Sequence, residues 1–109
     1  MESTEIIQED IVLPLGFKVW GIHCGIKKFK KDLGLIYSEK KANASAVFTT
    51  NKVKAAPVLL SMKNIKNNEI QAVIVNSGNA NACTGTKGYS DAVSMAEKTA
   101  QILNLKSED

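Results

Sequence analysis

Ten consecutive small or polar residues, Asn76-Ser77-Gly78-Asn79-Ala80-Asn81-Ala82-Cys83-Thr84-Gly85, separate an apolar run from a helical pattern. The run before them, Ala72-Val73-Ile74-Val75, is that of a strand buried on both faces. The pattern after them, starting near Ser90, repeats at helical spacing. A strand followed by a glycine-containing polar loop and a helix restricts the chain to α/β architectures. Such a loop brings backbone close to a ligand, and its asparagines, serine and threonine offer amide and hydroxyl groups without formal charge. That is the make-up of a positioning loop at the floor of a site.

The rest of the chain supplies an antiparallel-rich sheet and a second helix. Phe17 to Ile26 reads as a strand, with Gly21 and Gly25 at points where another backbone passes closely. Lys27-Lys28-Phe29-Lys30-Lys31 reads as a charged turn that also blunts a sheet edge. The segment from Asp32 to Ser38 is a second strand, residues 40–43 a polar link, and Ser45 to Thr50 a third strand rich in β-formers. Pro57 suits the first turn of a helix that carries Val58, Leu59, Met62 and Ile65 and ends at Asn67-Asn68. A strand from Glu69 to Val75 follows. The last helix has Ser90 as its N-cap, Asp91 in its first turn and two adjacent stripes: Val93, Ala96, Ala100 and Leu103, beside Ala92, Met95, Thr99 and Ile102. At least two helices lie on one side of the sheet in this reading.

The 109 residues make one domain at most. No run approaches the ~18 apolar residues of a membrane span, and the acidic opening Met1-Glu2-Ser3-Thr4-Glu5 is not a signal sequence, so a cytoplasmic location is the default expectation. Four acids and no base occupy the first ten residues, which leaves 14 bases against 7 acids in the remainder. The basic run carries one aromatic and no nucleic-acid signature, so solvated lysines are expected in place of a nucleic-acid surface.

Three kinds of chemistry can be weighed on the residues alone. Cys24, Cys83 and the single His23 are too few and too scattered for a metal site, and both cysteines read as small packing residues. The glycines do not match the phosphate-binding pattern GxxxxGK[ST], although an anion at the helix that starts near Ser90 remains physically reasonable. Ser77, Cys83 and Thr84 are nominal nucleophiles without a base nearby in sequence, and a structural role is favoured for them and for His23.

The segment NSGNANACTG resembles the signature of the ornithine acetyltransferases (glutamate N-acetyltransferases) of arginine biosynthesis. The resemblance extends over Gly16-Phe17, Cys24-Gly25-Ile26-Lys27, Asp32-Leu33-Gly34-Leu35-Ile36, Val47-Phe48-Thr49-Thr50-Asn51 and Ala55-Ala56-Pro57-Val58, covering most of residues 16–104. It implies a layered αββα-type sandwich of the self-cleaving acetyltransferase/aminopeptidase type. Residues 1–15 would be a lead-in and residues 16–109 the N-terminal, incomplete part of the acetyltransferase domain. It also implies a precursor that cleaves itself before a threonine, which then carries acetyl from N-acetylornithine to glutamate; some members accept acetyl-coenzyme A, and no resident cofactor is expected.

By the same resemblance, the nucleophilic threonine and the Thr-Gly pair of the oxyanion hole fall beyond residue 109, so no catalytic residue is assigned within the chain. Asn76, Ser77, Gly78, Asn79, Asn81, Thr84 and Gly85 are the candidate substrate-binding or scaffold residues, with scaffolding placed first and direct contact by Asn79 or Asn81 second. The implied partners are the rest of the α chain and the β chain, in a heterotetramer of two of each, with no nucleic acid and no membrane. The chain alone is expected to be inactive and to expose apolar surface. The alternatives are a non-catalytic structural or binding domain that keeps the first part of this fold, and an aminopeptidase of the same self-cleaving architecture.

Overall fold

The structure, a computed structural model, describes residues 12–78 and 84–109. Its elements are β1 (Phe17–Ile22), β2 (Leu33–Asn43), α1 (Ala56–Asn64), a 3-10 turn (Ile65–Asn67), β3 (Glu69–Asn76) and α2 (Gly85–Leu103). The strands form one sheet in the order β1-β2-β3. This is the expected α/β class with an antiparallel sheet. The chain divides into two compact units, residues 12–40 with 72–78 and residues 41–71 with 84–109, so that β2 and β3 each run from one unit into the other.

In the first unit, β1 and β2 pair antiparallel with Phe17 opposite Ser38, Trp20 opposite Leu35 and Ile22 opposite Leu33. Directly opposed residues share a face, so Trp20, Ile22, Leu33, Leu35 and Tyr37 lie on one side, with Val19 and Ile36 on the other. Gly21 faces Gly34 across the pair. The β1–β2 register continues past the strand end, where the Asp32 N–H donates to the Ile22 carbonyl at 2.9 Å. The Asp32 carbonyl in turn accepts the Ser77 N–H at 3.0 Å, just beyond β3.

Both sides of this sheet keep apolar groups in contact with solvent. Trp20 is 48% and Ile22 52% exposed on one side, and Ile36 is also exposed on the other. Val73 and Val75, expected to be covered on both faces of their strand, are about half exposed. The apolar run correctly marks the strand, but the described residues do not supply the second cover that such a run is suited to.

In the second unit α1 and α2 pack together. Their buried residues are all alanines: Ala56 from α1, and Ala92 and Ala100 from α2. Small side chains let neighbouring backbones approach closely, at the cost of burying little area each. Ile102, placed by spacing on a packed stripe, is instead 82% exposed, because it falls at the margin of the arc centred on Ala92, Ala96 and Leu103. Pro57 stands in the first turn of α1 as its missing N–H predicts. The helix runs into the 3-10 turn and stops at Asn68, whose φ of 58° is left-handed.

The C-terminus of α2 is closed by Asn104, also left-handed, with its N–H on the Gln101 carbonyl and the Leu105 N–H on the Ala100 carbonyl at 2.8 Å. This paired arrangement satisfies carbonyls that the helix leaves open. The Asp109 carbonyl accepts the Gln71 N–H at 2.9 Å, and its carboxylate lies 3.7 Å from Lys41 Nζ, which ties the last residue to both strands of this unit.

Two expectations fail here. The polar link over residues 40–43 is the continuation of β2, and the β-rich run from Ser45 to Thr50 is irregular. Strand formation follows an available partner more closely than propensity. The last bond of this ladder is the Ala44 N–H to the Asn68 carbonyl, after which Val47 is 98% exposed. Beyond it the Thr49 hydroxyl takes the Asn51 N–H at 3.2 Å, and Lys54 Nζ donates to the Asn51 carbonyl. Local turn bonding of this kind competes with a ladder.

The exposed sheet generates a prediction. The isolated 109-residue chain should associate, showing a light-scattering mass above its own 11.8 kDa, and Trp20→Lys with Ile22→Lys should shift it back toward that value. A monomer that binds no apolar dye at any concentration would contradict the exposure described.

Candidate functional site

The candidate segment begins inside β3. Asn76 is the strand's last residue, Ser77 and Gly78 follow it in the first unit, and Thr84 and Gly85 open α2 in the second. Asn79 and Asn81, with Cys83, lie outside the described residues, as do residues 1–11 of the lead-in.

Ser77 is held by its backbone, through the bond to the Asp32 carbonyl. Gly78 has φ of 101°, a region that L side chains rarely adopt. A Cβ at that position would stand 2.6 Å from Lys27 Cγ and 3.3 Å from Ile26 Cγ2. Two independent reasons, backbone conformation and close approach, therefore require glycine. The lysine run expected to be a solvated turn does connect β1 to β2, but its first member lays its stem on the candidate segment.

The turn that brings Lys27 there is organised by Asp32. Its side chain is wholly buried. Oδ1 accepts the Cys24 N–H at 2.7 Å and Oδ2 the Lys27 N–H at 2.9 Å. His23 Nδ1 lies 3.3 Å from Oδ2 and 2.8 Å from the Lys30 carbonyl. Both are acceptors, which assigns the proton to Nδ1 and leaves Nε2 as the acceptor nitrogen of the ring. Burial, the largest single influence, would raise the Asp32 pKa, but the N–H groups of Cys24 and Lys27, the Cys24 thiol and the Ile26 N–H outweigh it and hold the carboxyl well below the usual carboxylate range.

Cys24, read as a packing residue, is a free and exposed thiol in this turn. Its hydrogen bond to Asp32, then burial, then the neighbouring negative charge push the thiol pKa up. A raised pKa disfavours the thiolate, so the geometry does not activate Cys24 as a nucleophile. Gly25, expected where another backbone passes, has open space around it and a φ of 105°; it serves the conformation of the turn.

In the second unit α2 starts at Gly85, five residues before the expected N-cap Ser90. The glycines that imitate a loop in the sequence have a packing function here. A Cβ at Gly88 would overlap the Thr84 side chain, so Gly88 makes room for the residue that opens the helix. The Gly88 N–H donates to the Thr84 carbonyl at 3.2 Å, and Lys87 pairs with Asp91 at 2.9 Å one turn on. Ser90 and Asp91 are consequently interior to the helix, which removes the expected anion site at Ser90. Among the described residues no three His, Cys, Asp or Glu side chains are grouped to hold a metal, and no helix is long and apolar enough to cross a membrane.

The ArgJ family profile matches residues 18–109. The chain belongs to the ArgJ family. It is 59% identical over 105 residues to the arginine biosynthesis bifunctional protein ArgJ of Caldanaerobacter subterraneus subsp. tengcongensis, covering 96% of this chain and 26% of that one. It is 46% identical over 102 residues to the ArgJ protein of Listeria monocytogenes, with 93% and 26% covered. The chain thus spans about a quarter of the length of the curated relatives it matches. Among solved structures, ArgJ of Bacillus halodurans superposes with a TM-score of 0.84 at 44% identity, over 86% of this chain and 50% of that one. Ornithine acetyltransferase of Mycobacterium tuberculosis, solved with ornithine, gives 0.78 at 44% identity, over 84% and 48%. At that identity and overlap the ArgJ family fold is shared, and the layered α/β expectation stands.

Within this family member, Asp32 is the residue that sequence reasoning passed over. In the sequence it opens an expected strand and one segment of the family resemblance, with no site role assigned to it. The signal available was an acid closing a lysine-rich turn, directly before an apolar strand and eight residues after Cys24. A carboxylate at that place is well situated to collect the free N–H groups of a tight turn.

Asp32 gives a pH prediction. The carboxyl is held ionised in the folded state, so it stabilises the fold above the unfolded carboxylate pKa, near ~3.9, and that contribution is lost as pH falls toward the depressed folded value. In the complete polypeptide, Asp32→Asn should lower Tm at pH 7 by roughly 5 °C or more. The gap from the parent should narrow between pH 5 and pH 2.5. A gap independent of pH would remove the ionised carboxyl from the account.

Proposed function

We propose that this chain is part of an acetyltransferase that moves an acetyl group from N-acetylornithine to glutamate in arginine biosynthesis. The observation that carries the reading is the match to the ArgJ family over residues 18–109, which includes the whole NSGNANACTG segment. Relatives named bifunctional for arginine biosynthesis, and a structural neighbour that binds ornithine, support the substrate class. The reaction exchanges one amide for another, so it is served by a single acyl-carrying nucleophile used twice.

In this reading residues 76–85 are scaffold for the site and the chain supplies no nucleophile. The Cys24 thiol is not arranged as a thiolate. The acetyl carrier is a threonine in the part of the polypeptide beyond residue 109, freed by self-cleavage, and tetrahedral intermediates are stabilised by donors from the same part. The working protein is a cytoplasmic assembly of two α and two β chains without a resident cofactor.

The test is transfer of labelled acetyl from N-acetylornithine to glutamate by the complete polypeptide and by the 109-residue chain alone. The complete protein should transfer the label, and the short chain should show no turnover. Absence of transfer by a folded, processed complete protein would favour a non-catalytic member of the family.

A further inference from the structure

We propose that Asp32 is a positioning residue for Ser77 and Gly78, and that it acts by two routes. Its main-chain carbonyl receives the Ser77 N–H at 3.0 Å. Its carboxylate fixes the turn over residues 24–27, and the Ile26 and Lys27 side chains at the end of that turn lie directly on Gly78. The role in catalysis rests on the proposed acetyltransferase function; the positional coupling does not.

The geometry makes the carboxylate hard to replace. Each oxygen receives a backbone N–H of its own, from Cys24 on Oδ1 and from Lys27 on Oδ2, with the His23 ring on the same side as Lys27. An asparagine of the same shape offers one acceptor oxygen and sets an NH2 group against the other donor. One of the two bonds must then open, and the site is buried, so water does not readily take its place. Loss of the Lys27 bond frees the residue whose stem confines Gly78. Loss of the Cys24 bond frees the start of the turn in which Gly25 holds a positive φ of 105°.

The contact on Gly78 is specific in the same way. The atom that a Cβ would meet at 2.6 Å is Lys27 Cγ, close to the backbone and unable to swing aside as the end of the chain could. Ser77 and Gly78 thus have their backbone fixed from the strand side by Asp32 and from the turn side by Lys27. Asp32 does not itself face substrate in this arrangement. Its effect is transmitted through the turn, so the expected signature is a change in turnover at nearly unchanged substrate affinity.

The experiment uses the complete polypeptide. Asp32→Asn should speed amide hydrogen exchange at Cys24, Lys27, Ser77 and Gly78 by about tenfold or more. It should lower kcat for acetyl transfer by about tenfold or more, with KM for N-acetylornithine within about threefold. Gly78→Ala should also lower kcat, and adding Lys27→Ala should return part of the loss, about threefold or more, because the Cγ contact is gone while the backbone penalty stays. Exchange at Ser77 and Gly78 unchanged in Asp32→Asn, or a Gly78→Ala loss that is the same with and without Lys27, would overturn the proposal. If Asp32→Asn does not fold, the Gly78–Lys27 cycle decides. Faster exchange in a protein whose parent transfers no acetyl would support the positioning and refute the functional reading.

Discussion

A single buried carboxylate fixes the turn between β1 and β2, and that turn lies against Gly78 in the family signature. An ionised group costs a great deal to remove from water unless its lone pairs are taken up by donors. Asp32 meets that condition with the backbone N–H groups of a turn that would otherwise have few partners of its own. The two requirements solve each other: the turn needs an acceptor, and the carboxylate needs donors. Its consequence is a fixed path from the end of β1 to the start of β2, and with it a fixed place for the stem of Lys27 against Gly78.

The sheet supports this arrangement from below. Register between β1 and β2 is carried past the strand ends by the Asp32 N–H on the Ile22 carbonyl, and the Asp32 carbonyl passes it on to Ser77. One residue therefore serves as a ladder member on both sides through its backbone and as the anchor of a turn through its side chain. The apolar groups left open at Trp20, Ile22, Ile36, Val73 and Val75 fit a layer that is suited to being covered on both faces. The alanine contacts of the helical unit are the other extreme, with little area per residue and close approach.

Much of this was legible in the sequence, for physical reasons. β1 and β3, the helix at Pro57 and its stop at Asn67-Asn68 declare themselves by period, by a proline that needs no N–H, and by an asparagine that tolerates positive φ. The family was legible because NSGNANACTG, FTTN and AAPV occur in order over most of the chain. The strand expected over Ser45 to Thr50 was not, since propensity cannot say whether a partner strand exists. The start of α2 was misplaced because Gly85 and Gly88 look like loop residues until the bulk of Thr84 against Gly88 is seen. The candidate residues Asn76, Ser77 and Gly78 could be named from the loop's composition. What holds them could not, because the Asp32 contacts join segments separated by 8 and by 45 positions.

The most direct test of this account is an NMR titration of the Asp32 carboxyl in protein labelled with 13C at aspartate side chains, assigned through Asp32→Asn. The carboxyl should remain ionised well below pH 3.9, the ordinary value of an aspartate at ~25 °C. A midpoint at the ordinary value would mean that the N–H groups of the turn do not converge on it, and the arrangement described for Ser77 and Gly78 would lose its anchor.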